Sequence, residues 1–301
     1  MEYEVQFILL LTFLIPAVIL SIVVLVHFLS NREVRNKAPN QGWVILLILN
    51  FFQLMLNIPM PLNYYYSNRT GPGTNAYCTW WTWCEFSFNS TGLFLMAWIS
   101  IERHVFIFQL NNGFQQKWKK WILHILPLIF CVFWAPSLFF VIVVISPFCT
   151  TSWDFNTFAC GPPCYYSIMF LNQFDFVFDL LLPVFIIMSA NVALVLRVVY
   201  RKVSRQHVIQ WRRHRKMVLQ LWIVSSLYIA FWFPVTITLL IQNTVSPSFM
   251  ADQLQTMQFL VYFIPLLLPV ICLSTFPKLV KKIKTFILPL QSNTVGVVVL
   301  R

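Results

Sequence analysis

Seven apolar runs, each long enough to cross a bilayer and separated by short polar segments, constrain this chain more than any other feature. A membrane-spanning helix needs roughly 20 mostly apolar residues. The runs fall at about 6–29, 42–64, 78–108, 119–146, 165–200, 215–242 and 253–275. Charged residues make up 10% of the 301, whereas a soluble domain carries roughly 25%, so most of the surface is built to face lipid. Several of the 17 prolines lie inside the runs. A membrane helix tolerates them because neighbouring groups satisfy the freed carbonyls. The first run follows the acidic stretch Met1-Glu2-Tyr3-Glu4. A cleavable signal peptide has a basic leader and an apolar core of roughly 7–15 residues, so this longer run is expected to remain as a span. Residues 276–287 interleave Lys278, Lys281, Lys282 and Lys284 with Leu279, Val280, Ile283 and Phe286, the pattern of a helix lying on a membrane surface. The expected fold is therefore an all-α membrane protein, a seven-transmembrane helix bundle with a short amphipathic eighth helix.

Charge sets the expected orientation. A net charge of +12 would point a soluble chain towards nucleic acid. Here all but one of the 21 Lys and Arg residues fall on one side of the seven runs, in the segments 30–41, 103–120, 197–216 and after 275. Arg69 alone lies opposite. Basic residues accumulate in cytoplasmic loops, which puts the N-terminus outside, the C-terminus in the cytosol and no nucleic acid among the partners. The basic stretch 197–216 also suits acidic membrane lipid. Asn68-Arg69-Thr70 is a glycosylation sequon on the expected outer side, while Asn89-Ser90-Thr91 falls within the third run and is expected to stay unused. Cys78, Cys149, Cys160 and Cys164 lie on the outer side, where disulfides persist; Cys84, Cys131 and Cys272 lie within runs, as small packing residues.

Motifs divide a receptor from a channel or transporter. The third run ends Ser100-Ile101-Glu102-Arg103-His104, with Cys78 standing 25 residues before Arg103. The sixth holds Phe231-Trp232-Phe233-Pro234, the fifth Pro183, the second Asn50 nine residues before Pro59 (Gln53 in another register), and the seventh Leu268-Pro269-Val270-Ile271-Cys272. In order and spacing these resemble the signatures of rhodopsin-like G-protein-coupled receptors: Asp-Arg-Tyr, Cys-Trp-x-Pro and Asn-Pro-x-x-Tyr. The resemblance covers nearly the whole chain. It implies a receptor that converts extracellular ligand binding into activation of a heterotrimeric G-protein at the plasma membrane, with no enzymatic activity, cofactor or metal. Residues 1–5 would be the extracellular N-terminus, 6–286 the receptor domain with its eighth helix, and 287–301 the cytosolic tail. Glu102, Arg103 and His104 would face the G-protein, and Trp232, Pro234 and Pro269 would form the bending elements of a switch. The resemblance also implies a bond from Cys78 to the second outer loop. Spacing from Pro183 favours Cys164, with Cys160 as the alternative partner and Cys149 then paired to Cys160. Departures bear on function. Leu268 and Cys272 replace the polar residues of the seventh-run motif, and Asn50 and Gly92 replace residues of the family's sodium pocket. His214, Arg215 and Lys216 stand where the family often has an acid that restrains the resting state, so some basal activity is expected.

Three acids inside apolar runs carry the most information about the ligand. Glu85 lies 18 residues before Arg103, five turns up the same helix face. That is where amine receptors of the family place their ammonium-binding acid, and Tyr262, seven residues before Pro269, matches a tyrosine that supports it. Asp175 and Asp179 are expected one above the other on the fifth helix, at i and i+4. A carboxylate within a span needs a partner or a water-lined cavity, and no Lys or Arg occurs in the outer halves of the runs. A cationic ligand, an amine or a basic peptide, is the expected counter-charge, with Trp80, Trp83, Phe174 and Trp232 available for cation–π contacts. The competing readings are a chemosensory receptor of the same fold for neutral ligands, and a transporter. The second lacks the internal repeat such proteins often show.

Overall fold

The computed structural model describes residues 2–30, 38–108, 121–203 and 208–275. The expected eighth helix, the tail and the side chains of His104, His214, Arg215 and Lys216 lie outside the described part.

Apolar periodicity and length build seven antiparallel helical passes. The first span is Glu2–Ser30, so helix already begins within the stretch expected as a free N-terminus. The second joins Ala38–Phe52 to Pro59–Ser67 through a wide turn at Gln53–Asn57. The third is Asn75–Phe108, and the fourth centres on Leu126–Phe139. The fifth begins at Met169 and continues as Leu182–Val203, the sixth is Val208–Thr244, and the seventh joins Ala251–Val261 to Phe263–Thr275. Six of the seven are long and apolar enough to cross a membrane on composition alone; the exception is the third. Its greater polarity has a structural cause. From Trp81 to Arg103 none of its side chains is exposed, because it adjoins the second, fourth and fifth spans and runs through the middle of the bundle. The first span shows the opposite pattern. Ile8, Leu11, Ile15, Ile19, Ile22, Val26 and Leu29 form an exposed stripe at helical spacing, with Leu10, Ala17, Val24 and Phe28 buried behind it. In water such a stripe would be an aggregation site, whereas hydrocarbon is its natural solvent.

Prolines shape the local helix geometry. The wide π-type turns at Gln53–Asn57, Trp121–Ile125 and Asp175–Leu181 each lie just before Pro59, Pro127 and Pro183. Proline lacks the N–H for its turn and its ring crowds the carbonyl four residues back, so the preceding turn widens. In the seventh span Pro269 deprives the Pro265 carbonyl of its helical partner, and Asn50 of the second span donates its side-chain amide to that oxygen at 3.1 Å. Asn50 is 3% exposed, so the bond joins the two spans in a dry setting. Removing the donor should cost about 1–3 kcal/mol. Asn50→Ala and Asn50→Asp, the latter unable to donate when ionised, are both expected to lower the thermal midpoint of the detergent-solubilised protein. Unchanged midpoints in both would show that the bond contributes nothing.

Candidate functional site

A cavity of about 660 Å³ opens at the end of the bundle that carries the disulfides, between the third, fifth, sixth and seventh spans. The loop between the fourth and fifth spans roofs it. Phe158 of that loop stacks on Tyr65 at 5.8 Å and meets the edges of Tyr64 and Trp81 at 5.4 and 5.5 Å. The loop backbone is tied to the loop between the second and third spans by Thr70 N–H donating to Phe155 O at 2.8 Å.

Covalent bonds hold the roof, and the partner of Cys78 is the alternative, Cys160, in place of the favoured Cys164. Cys78 is bonded to Cys160, and Cys149 to Cys164. Counting back from Pro183 misled because the fifth span begins only at Met169, after a short turn at Cys164–Ser167. Cys164 therefore sits close to Cys149, beyond the end of the fourth span. Left-handed backbone at Ala159 and Cys160, φ 53° and 61°, brings Cys160 to Cys78. Cys160→Ser is expected to free Cys78 for alkylation, and Cys164→Ser to free Cys149 instead. Thiol-specific labelling and peptide mapping would read the pattern, and the converse pattern would overturn this connectivity.

The first acidic pole is Glu85, which lines the cavity. Oε1 accepts from Asn89 Nδ2 at 2.7 Å, and Oε2 accepts from Tyr262 Oη at 2.9 Å and Asn57 Nδ2 at 3.1 Å. Gln53 Nε2 in turn donates to Asn89 Oδ1 at 3.0 Å. The antiparallel second and third spans make this ladder possible, since Gln53 faces Asn89 one turn below the level at which Asn57 faces Glu85. All three donors to Glu85 are neutral, so they stabilise a carboxylate without cancelling its charge.

The second acidic pole is on the fifth span. The wide turn at Asp175–Leu181 changes the expected stacking of Asp175 over Asp179, because four residues no longer complete one turn of a wider helix. The two carboxylates are held by different partners. Asp175 Oδ2 accepts from Tyr165 Oη at 2.9 Å, and Asp179 Oδ1 from Trp134 Nε1 at 3.0 Å. Burial, reinforced by Tyr166 and Asp175, raises Tyr165 well above the ordinary tyrosine value, so it remains a hydroxyl donor. Both acids line the same cavity as Glu85, and among the described residues its lining contains no Lys, Arg or His. The aromatic set also differs from expectation. Of Trp80, Trp83, Phe174 and Trp232, only Trp232 lines the cavity. Trp80 is exposed, Trp83 donates to Pro136 O at 3.1 Å, and Phe174 stacks on Phe178. Phe86, Phe158, Phe176, Tyr166 and Tyr262 supply the remaining aromatic wall.

At the opposite end, Arg103 is 2% exposed and Glu102 is buried beside it in sequence. The Glu102 carboxylate pairs with the ring of His124 on the fourth span. The other ring nitrogen of His124 meets Gln41 Oε1 of the second span at 2.7 Å. Three spans are therefore joined at one buried histidine, which sequence reading had left without a role. Between the two ends, Pro234 lies inside the sixth helix and Pro269 inside the seventh. Ser225 of the sixth span donates to Asn191 Oδ1 of the fifth at 2.7 Å. An added Cβ at Gly92 would lie 3.4 Å from Tyr228 Oη, an ordinary contact, so the position faces that hydroxyl without a clash at the first side-chain atom.

Sequence reading missed Asn57, Asn89, Trp134, Tyr165 and His124 as partners of these acids, and Gln41 as the partner of His124. The available signal was polarity inside an apolar run, which marks residues that need a partner but does not name it.

Comparison with individually characterised proteins returns no match. The profile of the 7 transmembrane receptor (rhodopsin family) group matches residues 7–275, from the first span to the end of the seventh. The chain belongs to the rhodopsin family of seven-transmembrane receptors.

Proposed function

We propose that this receptor is activated by a small cationic ligand bound at Glu85 and passes the signal to a heterotrimeric G-protein at the Arg103 end. The observation that carries the reading is a cavity whose lining, among the described residues, holds three carboxylates and no basic side chain to balance them. Its volume of about 660 Å³ lies within the usual range for small organic ligands, roughly 300–1,000 Å³, which favours an amine over a basic peptide. The disulfide-bearing end is extracellular and the base-rich end cytosolic in this reading, in keeping with the loop charges. Trp232 in the cavity wall lies two residues before Pro234, so ligand contact there would act on the bend of the sixth span.

One observation favours a neutral ligand instead: Glu85 already accepts three hydrogen bonds. Second-messenger output in cells expressing the receptor with a promiscuous G-protein separates the readings. Primary amines are expected to act where alcohols of the same carbon skeleton do not. Equal potency of alcohols and amines would sink the cationic reading.

Asn68, exposed at the turn after the second span, serves as the orientation marker. Surface-expressed receptor is expected to lose mass on endoglycosidase treatment, and Asn68→Gln is expected to abolish the shift. Full protection of the wild type from the enzyme would count against this placement.

A further inference from the structure

The two acidic poles are in different electrostatic conditions, and the difference bears on the ligand. Glu85 has both oxygens occupied by donors from the second, third and seventh spans. Asp179 does not. It is 1% exposed, its Oδ1 is held by Trp134 of the fourth span, and its Oδ2 is buried with no hydrogen-bond partner among the described residues. A buried carboxylate oxygen lacking a donor is strongly unfavourable, and this one belongs to a residue lining the cavity. Neighbouring Asp175 adds a second negative charge on the same wall. A ligand with one ammonium at Glu85 would leave Asp179 Oδ2 short of a donor. Glu85 belongs to the third span and Asp179 to the fifth, so the two carboxylates stand on different walls of one cavity.

We infer that the ligand is a dication with two separated cationic groups, a diamine or an amino-guanidine, with one group held at Glu85 and the other donating to Asp179 Oδ2 beside Asp175. Residues of the second loop close the cavity above it, which would seal both charge pairs from water and strengthen them. This inference rests on the cationic reading and adds the number and placement of charges.

The test compares putrescine, cadaverine and hexamethylenediamine with n-butylamine, n-pentylamine and n-hexylamine, and with the matching alcohols, on receptor whose surface level is measured in parallel. A charged hydrogen bond gained at the second pole predicts a diamine more potent than its monoamine by roughly ten- to a hundredfold, with an optimum chain length. Asp179→Asn, which keeps an oxygen for Trp134, is expected to bring the diamine-to-monoamine ratio close to one. Diamines no more potent than monoamines in the wild type would overturn the dication while leaving the cationic receptor standing. So would a diamine advantage that survives in surface-expressed Asp179→Asn, or silence to every diamine alongside a response to monoamines. Alcohols as potent as amines would remove both readings. If Asp179→Asn fails to reach the surface, the wild-type ratio and its chain-length optimum decide alone.

Discussion

Glu85→Gln is expected to lower the potency of an activating amine by about a hundredfold or more, with surface expression retained. The substitution keeps the length and shape of the side chain and removes its charge. A charge-assisted hydrogen bond to ammonium is worth roughly 1.5–3 kcal/mol, and enclosure of the pair by the second loop places it towards the upper end. The local structure should survive. Tyr262 and Asn57 both donate to one carboxylate oxygen, a role the amide oxygen of Gln can fill. Only the donor contact from Asn89 meets an NH₂ instead of an oxygen, at a cost of about 1 kcal/mol. Concentration–response curves for an amine on both forms would settle the point. Matching curves at equal surface level would make Glu85 a structural acid.

The second large effect concerns the buried pair at the other end. Removing His124 takes away the partner of the buried Glu102 carboxylate, and removing Glu102 leaves one ring nitrogen of His124 without that acceptor; breaking such a buried pair typically costs about 3–5 kcal/mol. His124→Phe and Glu102→Leu are therefore each expected to lower the thermal midpoint of the purified receptor sharply. The double variant replaces both groups with apolar ones and should be less destabilised than the sum of the two single variants, because neither partner is left uncompensated. Additive losses would mean that the pair does not couple the third and fourth spans. The same variants carry a functional consequence. Glu102 is expected to hold Arg103 in the resting state, and here its carboxylate is engaged by His124. Raised basal signalling in His124→Phe, measured as ligand-independent nucleotide exchange, would place His124 among the restraints on the resting receptor. Basal exchange at the wild-type level would confine its role to stability.

These two sites differ in how far they could be read beforehand. Glu85 stood out because an acid five turns above Arg103 on one face is a matter of helical period alone. Its contact with Tyr262, 177 positions away in sequence, was suggested by the family pattern, and the structure supplies the hydrogen bond itself. Asp175 and Asp179 stood out as acids, but their arrangement did not. A regular helix would stack them, and the wide turn before Pro183 separates them to Tyr165 and Trp134. The choice of Cys164 over the alternative Cys160 as the partner of Cys78 failed for a related reason. Spacing along the chain carries over to spacing in space only while the helix is regular, and the residues between Cys160 and Met169 are not regular helix.

Local and one-dimensional properties were decided by the sequence: seven apolar runs, the asymmetry of the basic residues, the order of the motifs and the presence of acids where hydrocarbon forbids unpaired charge. Each follows from solvation of a segment by bilayer or water, which depends on composition and period. Tertiary structure alone decided which polar groups meet. Asn50 found the carbonyl freed by Pro269, His124 found Glu102, and Cys160 rather than Cys164 found Cys78. Those partnerships depend on how helices rotate and where proline widens them. A shift of one residue in a wide turn re-aims a side chain onto a different neighbouring span.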